Sequence, residues 1–480
     1  MVKIKLLSYF FICLFLAFSG CTGFDKPYRD ELVQLGSNRE IFVDNYLIDK
    51  LEGAHIVMHQ PRDEGIVMYF DKPWEGIFCG YCTIIRSAGV YRAYYRGLTD
   101  ISSPEYTCYA ESTDGIHWEK PDLGLFEING TIKNNVILNS GPATHNFSPF
   151  FDTNPDAKPD QIYKALGGNA KSGLIPYVSA DGIHWNKLQD DGVIKKGAFD
   201  SQNVSFWSES ERLYVCYFRI FTEKKIRSVS RTTSRDFINW SEPVQMTLGD
   251  TPDEHLYTQQ TSPYFRAPQI YIAIGARFMP DRQVLTKEQA IKLKVDPGYF
   301  KDVSDAIFMT TRGGNVYNRT FMESFIRPGI GLNNWISRTN YPALNVVQTG
   351  PAEMSVYVNQ DYTQPTAHLH RYSLRLDGFT SISASYSGGT AITRSLIFSG
   401  KNLEINYSTS AAGEIGIEIL DSNGKPLQGF TMEESQILIG NEIERIVSWN
   451  ENEDVSELSA KPVRLRFYLK DADLYSFRFK

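Results

Sequence analysis

The sequence predicts an all-β chain, a five-bladed β-propeller followed by a C-terminal β-sandwich. Three observations carry that prediction. The stretch Ser112-Thr113-Asp114-Gly115-Ile116-His117-Trp118 is made again as Ser179-Ala180-Asp181-Gly182-Ile183-His184-Trp185 and, in altered form, as Ser234-Arg235-Asp236-Phe237-Ile238-Asn239-Trp240. Asp-Gly between apolar runs signals a hairpin, because both central residues of a type I′ turn need φ > 0. A second repeat runs in phase, a Tyr-led strand often ending in Arg: Val90-Tyr91 to Arg96, Ile162-Tyr163, Leu213-Tyr214 to Arg219, and Ile270-Tyr271 to Arg277. A unit recurring at intervals of roughly 55–70 residues marks a radial repeat. Third, the composition shifts near residue 375 to Ser/Gly/Ile-rich text with regular turns, such as Ser422-Asn423-Gly424-Lys425, and alternating strands, such as Val463-Arg464-Leu465-Arg466-Phe467. That is a sandwich pattern.

Taken in order, residues 1–21 read as a lipoprotein signal peptide. Lys3 and Lys5 precede an apolar run from Leu6 to Phe18 that is too short for an ordinary membrane span. Ala17-Phe18-Ser19-Gly20-Cys21 resembles a bacterial lipobox, which implies cleavage before Cys21 and a lipid on its sulfur. The expected location is the bacterial envelope, at the outer membrane or periplasmic face, with the membrane as a partner through that anchor. Residues 22–37 are polar and read as a tether. The propeller is expected over 38–374 and the sandwich over 375–480. Residues 39–60 alternate like a strand pair. Blade-like stretches follow at 64–120, 140–188, 200–245, 258–312 and 335–374. Lys287 to Leu293 reads as a short helix in an inserted loop.

A net charge of −7 without a basic run argues against a nucleic-acid partner. Of the six cysteines, Cys79 and Cys82 have metal-ligand spacing, but no second pair or nearby His completes a set. They read as buried strand cysteines. The sequence calls for no cofactor and no metal.

Propellers place function at one mouth of the central channel, so polar residues within inner-strand sequence are the ones to weigh. Asp44 interrupts an apolar run. Asp200, Gln202 and Asn203 stand together before the third blade's first strand. Glu254 lies beside His255 and Tyr257 ahead of the fourth blade. Glu353 heads an otherwise apolar strand. Arg96, Arg266, Arg277 and Arg312, with Arg219, recur at strand ends, where they either tune the acids or form a structural lattice. Trp74 and Glu75 sit on an early loop, where the indole could stack on a sugar. Glycoside hydrolysis needs two carboxylates flanking the bond, and four acids from separate segments supply candidates: Asp44, Asp200, Glu254 and Glu353.

On these repeats and acids, residues 39–374 resemble the five-bladed propeller glycoside hydrolases, the superfamily that includes families 32, 43 and 68. The resemblance implies an exo-acting glycosidase, with a furanoside among the candidate substrates. It also implies Asp44 as nucleophile or base, Asp200 as transition-state stabiliser and Glu254 as acid. The chain departs from the family pattern: the Trp-Met-Asn-Asp-Pro type motif is absent, no Arg-Asp-Pro stands near Asp200, and His follows Glu254. Glu353 is therefore a further candidate for one of those roles. The alternatives are a glycan-binding surface lipoprotein without catalysis and, on the Arg/His/Tyr set, a polysaccharide lyase acting on uronic acids.

Overall fold

The computed structural model describes residues 31–480. The signal segment, Cys21 and the first part of the tether lie outside the described residues. Runs of aromatic and β-branched residues between Gly, Asp and Asn turns give antiparallel strands. They form five blades and one larger sheet. Blade one holds Gly80–Ser87, Val90–Gly97, Tyr106–Ser112 and Val136–Leu138. Blade two runs from Ser148–Phe151 to Asn186–Lys187, and blade three from Val204–Ser208 to Val244–Gln245. Blade four begins with Leu256–Thr258 and Thr261–Tyr264, continues through Ala267–Met279 and Val303–Thr311, and ends at Ser324–Ile326. The first strands of neighbouring blades touch, so they line the channel.

Blade five is built from both ends of the ring. Tyr341–Pro342, Glu353–Gln360 and His368–Arg375 come from its end, and the outermost strand is Arg62–Tyr69 from its start. Tyr69 pairs with His368 and Arg62 with Ser373. Closing the ring this way leaves no blade short of a strand.

The two sequence repeats do structural work. Each repeated tyrosine sends its hydroxyl to the preceding blade. Tyr91 donates to the Gln348 carbonyl at 2.5 Å, Tyr163 meets the Ser87 hydroxyl at 2.6 Å, and Tyr214 donates to Asp152 at 2.8 Å. Tyr271 meets Ser208 at 2.5 Å. The Asp-Gly loops join third to fourth strands, as expected, but they are not type I′ turns. Only the glycines have positive φ, +76° at Gly115 and +81° at Gly182. The Asp carboxylate instead closes the loop, Asp114 Oδ1 accepting from the Ile116 and His117 amides at 2.8 and 2.9 Å. Ser112 Oγ accepts from the Gly115 amide at 2.9 Å. The glycines are needed for space as well: a Cβ at Gly115 would lie 2.8 Å from the Tyr357 hydroxyl, and one at Gly182 2.5 Å from that of Tyr94.

The sandwich sheet holds ten strands. Its long members, Leu403–Asp421 and Val463–Phe479, break register between Thr409 and Glu414 and enclose a core that includes Phe42, Trp449, Phe467, Phe477 and Phe479. Residues 38–60, expected in the propeller, belong to this sheet. Ile48–Glu52 pairs with Gly389–Thr393, and Ala54–Met58 with Thr380–Ala384. Part of the expected tether is also strand, Val33–Gly36 lying parallel to Leu396–Phe398. Alternation in sequence announced half-buried strands, but it could not name partners more than 300 residues away. The expected helix forms over Lys287–Lys292, with a capping box from Thr286 and Gln289.

Ring and sandwich are joined by buried charge. Asp377, fully buried, accepts from the Tyr264 hydroxyl at 2.8 Å, Arg266 Nε at 3.0 Å, Asn406 Nδ2 at 3.0 Å and Ser476 Oγ at 2.6 Å.

Candidate functional site

The loop entering each inner strand opens at one mouth of the channel. Gly80 and Tyr81 lead into blade one, His145 into blade two, Asp200 into blade three, Tyr257 into blade four, and Arg338 and Tyr341 into blade five. Arg96 and Asn359 arrive there at the far ends of second strands, and Tyr362 follows Asn359. These ten residues enclose a cavity of about 170 Å³. Tyr81 and Arg338 hold φ of +54° and +56°, a left-handed backbone that bulky side chains rarely adopt. Such conformations persist where the surrounding structure enforces them, often at ligand sites.

Guanidinium groups and phenols dominate the lining. Arg96, almost fully buried, donates to the Phe78 carbonyl at 2.8 Å and the Tyr362 hydroxyl at 3.0 Å. Its guanidinium also lies over the Tyr81 ring at 4.8 Å. Arg219 pairs with Asp200 and stands 5.0 Å from the Tyr257 ring centre. Arg227 and Arg338 face the same ring at 5.2 and 5.7 Å. Burial works to raise the Tyr257 pKa, but the charges of Arg338, Arg219 and Arg227 outweigh it, and the phenol lies below its ordinary value. Tyr81 and Tyr341 are pushed the other way by burial. His145 binds Glu105 through Nδ1 at 2.8 Å; burial, then Arg96 and Arg219, lower its pKa against that carboxylate, so it is neutral at pH 7.

Several buried polar atoms at this mouth have no protein partner: both side-chain polar atoms of Asn359, the Tyr341 hydroxyl, and Nε and Nη1 of Arg219. A buried polar group left unpaired costs about 1–3 kcal/mol. A ligand rich in hydroxyls would satisfy them.

Of the four acids singled out in the sequence, only Asp200 lines this cavity. Its side chain is 65% exposed at the rim. Asp44 lies in the segment that joins the sandwich, where its Oδ2 accepts from Arg312 Nε at 3.1 Å. Arg312 also binds Glu40 at 2.9 Å. Glu254 does not line this cavity; it stands between Arg277 Nη1 and Arg319 Nε, each at 2.9 Å, in the wall of a second cavity. Glu353 pairs with Arg371 and accepts from Thr349 Oγ1 at 2.9 Å. It heads the strand that Asn359 nearly ends, about 20 Å away at strand rise. All four acids have a guanidinium partner; those of Asp44, Glu254 and Glu353 hold them outside this cavity's wall, whereas Asp200 is held at its rim.

The expected substrate-binding residues divide in the same way. Arg96 and Tyr257 line the cavity. Trp74 donates to Asn135 Oδ1 at 2.7 Å, and Glu75, fully buried, holds Tyr95 and Lys120, both at 2.6 Å. Gln202 and Asn203 are buried in the ring, where Gln202 reaches Thr83 Oγ1 in blade one at 3.1 Å. His255 Nδ1 accepts from the Arg227 amide at 3.2 Å. Arg277 is bidentate to Asp305, and Arg266 serves the sandwich junction. None of these seven faces the cavity, nor does Arg312.

Sequence reasoning missed Tyr81, His145, Arg338, Tyr341, Asn359 and Tyr362. A positional signal existed. Each inner strand is preceded by a short polar-aromatic lead, and Ser337-Arg338-Thr339-Asn340-Tyr341 holds in blade five the place that Asp200 holds in blade three. Cys79 and Cys82 are free and buried, with burial raising both thiols; Cys82 lies in the strand Gly80–Ser87, as expected, and Cys79 just before it. Among the described residues no three or more His, Cys, Asp or Glu gather in a way that could hold a metal ion. No helix among them is long and apolar enough to cross a membrane.

No family model and no curated protein matches the sequence. Similar solved structures include a thermostable family-43 glycoside hydrolase, at 13% identity and TM-score 0.41 over 66% of this chain and 96% of that one. A family-32 β-fructofuranosidase from Bombyx mori aligns at 11% identity and TM-score 0.40, over 86% of this chain and 94% of that one. An N-acetylgalactosamine deacetylase from F. plautii, in complex with blood group B trisaccharide, aligns at 12% identity and TM-score 0.43 over 68% of this chain and 97% of that one.

Proposed function

We propose that the chain is an exo-acting glycoside hydrolase whose active site is the mouth cavity, with Asp200 and Tyr257 as the reacting pair. The observation that carries this reading is the cavity itself. It has room for about one sugar ring, unpartnered polar atoms in its wall, and a carboxylate and a phenol that share one guanidinium. Arg219 holds Asp200 by an ion pair, placing a carboxylate where a nucleophile or a base for water is needed. The lowered pKa of Tyr257 suits it to give a proton to the leaving oxygen, since general acids work best with a pKa nearer the working pH. The tyrosines supply apolar faces for the ring. The lipobox-like stretch ending at Cys21 supports a place for this activity at the bacterial envelope.

The test is turnover on a panel of aryl-glycosides and oligosaccharides by the wild type, Asp200→Asn and Tyr257→Phe. Turnover abolished in both variants while each remains folded at the assay temperature supports the assignment. Turnover retained in both moves the chemistry elsewhere.

A second reading, elimination, is favoured by one observation: three guanidinium groups stand around the Tyr257 phenol at a mouth lined by a single carboxylate. There Tyr257, as phenolate, would take the proton at C5 of a uronate. The C4–C5 double bond would form as the C4–O bond breaks, and the leaving oxygen would take up a proton. A product absorbing in the ultraviolet distinguishes it from hydrolysis.

A further inference from the structure

We infer that the mouth is built for a sugar that carries a carboxylate, bound on the guanidinium group of Arg338 beside Tyr257, in the positive field that Arg219 adds. The inference rests on the mouth being the glycan site and adds the class of substrate. Three observations on the page converge on it.

The first is local charge. The chain as a whole carries −7. At the mouth four guanidinium groups, Arg96, Arg219, Arg227 and Arg338, stand against the carboxylates of Asp200, Glu105 and Asp302. Burial raises the Asp302 pKa and so favours its neutral form. The excess is positive, in a cleft walled by aromatic rings, which is where a field is focused on an incoming anion.

The second is satisfaction. Arg219 is 4% exposed, and its Nε and Nη1 have no protein partner although Nη2 is engaged by Asp200. No ion pair ties Arg338 to a carboxylate among the described residues. Its guanidinium rests on the rings of Tyr299 at 4.8 Å and Tyr257 at 5.7 Å. Elsewhere in the chain the corresponding arginines are answered: Arg277 by Asp305 and Glu254, Arg312 by Glu40 and Asp44. A planar guanidinium fork held against aromatic faces matches a planar carboxylate better than it matches a hydroxyl.

The third is the rest of the lining. Asn359 and the Tyr341 hydroxyl, both buried and unpartnered, supply neutral donors and acceptors in the same wall as Arg338. The site thus offers a guanidinium for a charge and, beside it, groups suited to hydroxyls, as an acidic monosaccharide requires.

The experiment is calorimetric titration of the chain lacking residues 1–21 with galacturonate, glucuronate and N-acetylneuraminate, and with galactose and glucose as neutral counterparts. At least one acidic sugar should bind with an affinity that falls as sodium chloride rises, and the matched neutral sugar should bind about tenfold more weakly or worse. Arg338→Gln should erase that difference. Arg338→Lys, which keeps the charge but not the fork, should recover part of it. Neutral sugars binding as well as acidic ones, no acidic sugar binding at all, or a preference untouched in both Arg338 variants would each overturn the inference. The enzymatic reading fails separately. An acidic sugar bound through Arg338 but never released from any glycoside would leave this inference standing and remove the hydrolase. A neutral glycan cleaved in a Tyr257-dependent way would do the reverse.

Discussion

The mouth of the ring and the seam between ring and sandwich are made of the same side chains and differ in whether those side chains are satisfied. At the seam Asp377 accepts four hydrogen bonds, and Arg312 divides its nitrogens between Glu40 and Asp44. At the mouth Arg219, Asn359 and Tyr341 keep buried polar atoms that no protein group answers. Buried groups are normally paired; unpaired atoms occur elsewhere too, Gln269 Oε1 at the seam among them, but those of Asn359 and Tyr341 line a cavity that a ligand could fill. Residue type alone does not separate the two regions. Asp44 and Asp200 are both polar interruptions ahead of strands, yet one fastens two domains and the other faces solvent in a cavity.

The sharpest way to break this contrast is to exchange the reacting groups at the mouth. Tyr257→Phe and Asp200→Asn should each lower kcat by about 10²–10⁴-fold on whichever glycoside the panel identifies; the urea unfolding midpoint should be nearly unmoved for Tyr257→Phe and lower for Asp200→Asn, which leaves the buried Arg219 without its carboxylate. A variant that loses stability but keeps its turnover would place that residue with the seam.

Glu254→Gln should behave in the opposite way. It leaves Arg319, whose side chain is fully buried, without its carboxylate, and removing one partner of a buried pair costs about 3–5 kcal/mol. Turnover per folded molecule should stay within about twofold. A folded Glu254→Gln protein that has lost its activity would restore the acid role that the family resemblance implies. Asp44→Asn is milder, because Arg312 retains Glu40; unfolding in urea should report a loss of about 1–2 kcal/mol, again without loss of turnover.

The smallest expected effect is on pH. Burial lowers the imidazole pKa of His59 at the seam and of His145 and His368 in the ring. The unfolded chain therefore binds protons first as pH falls below about 6.5. The stability contributed by the neutral imidazoles is fully present above that value and declines as pH drops towards their folded-state pKa. Melting temperature should be lower at pH 5.5 than at pH 7.5, and His59→Gln should reduce the difference. An equal or higher melting temperature at pH 5.5 would contradict the assignment of these rings as buried and neutral.

The fold was largely legible in the sequence, and the site only in part. Tyr91, Tyr163, Tyr214 and Tyr271 repeat because each blade must be stitched to the one before it, and such a rule leaves a periodic trace. The sandwich strands at 33–58 left a trace of alternation but none of partnership, since pairing over several hundred residues is written in no local pattern. At the mouth, Asp200, Arg96 and Tyr257 stood out because they interrupt or end apolar runs. Arg338 and Tyr341 did not, because the turn they occupy resembles any polar loop until the ring brings it opposite Asp200. Glu353 misled for the converse reason: a carboxylate at the head of an apolar strand looks exposed to chemistry when its partner, Arg371, is invisible on the next strand.

The strand Arg62–Tyr69 completes a blade whose other members lie at the far end of the ring, and the strands before it complete a sheet whose other members close the chain. No single cut near residue 375 can therefore yield two whole domains: a piece ending there keeps sandwich strands with nothing to pair with, and the remainder lacks them. During synthesis the opening strands must wait, edges bare, until nearly all of the protein has been made. Folding of the two halves is thus coupled by the order in which the chain is written, and the last residues to emerge decide when the first can settle.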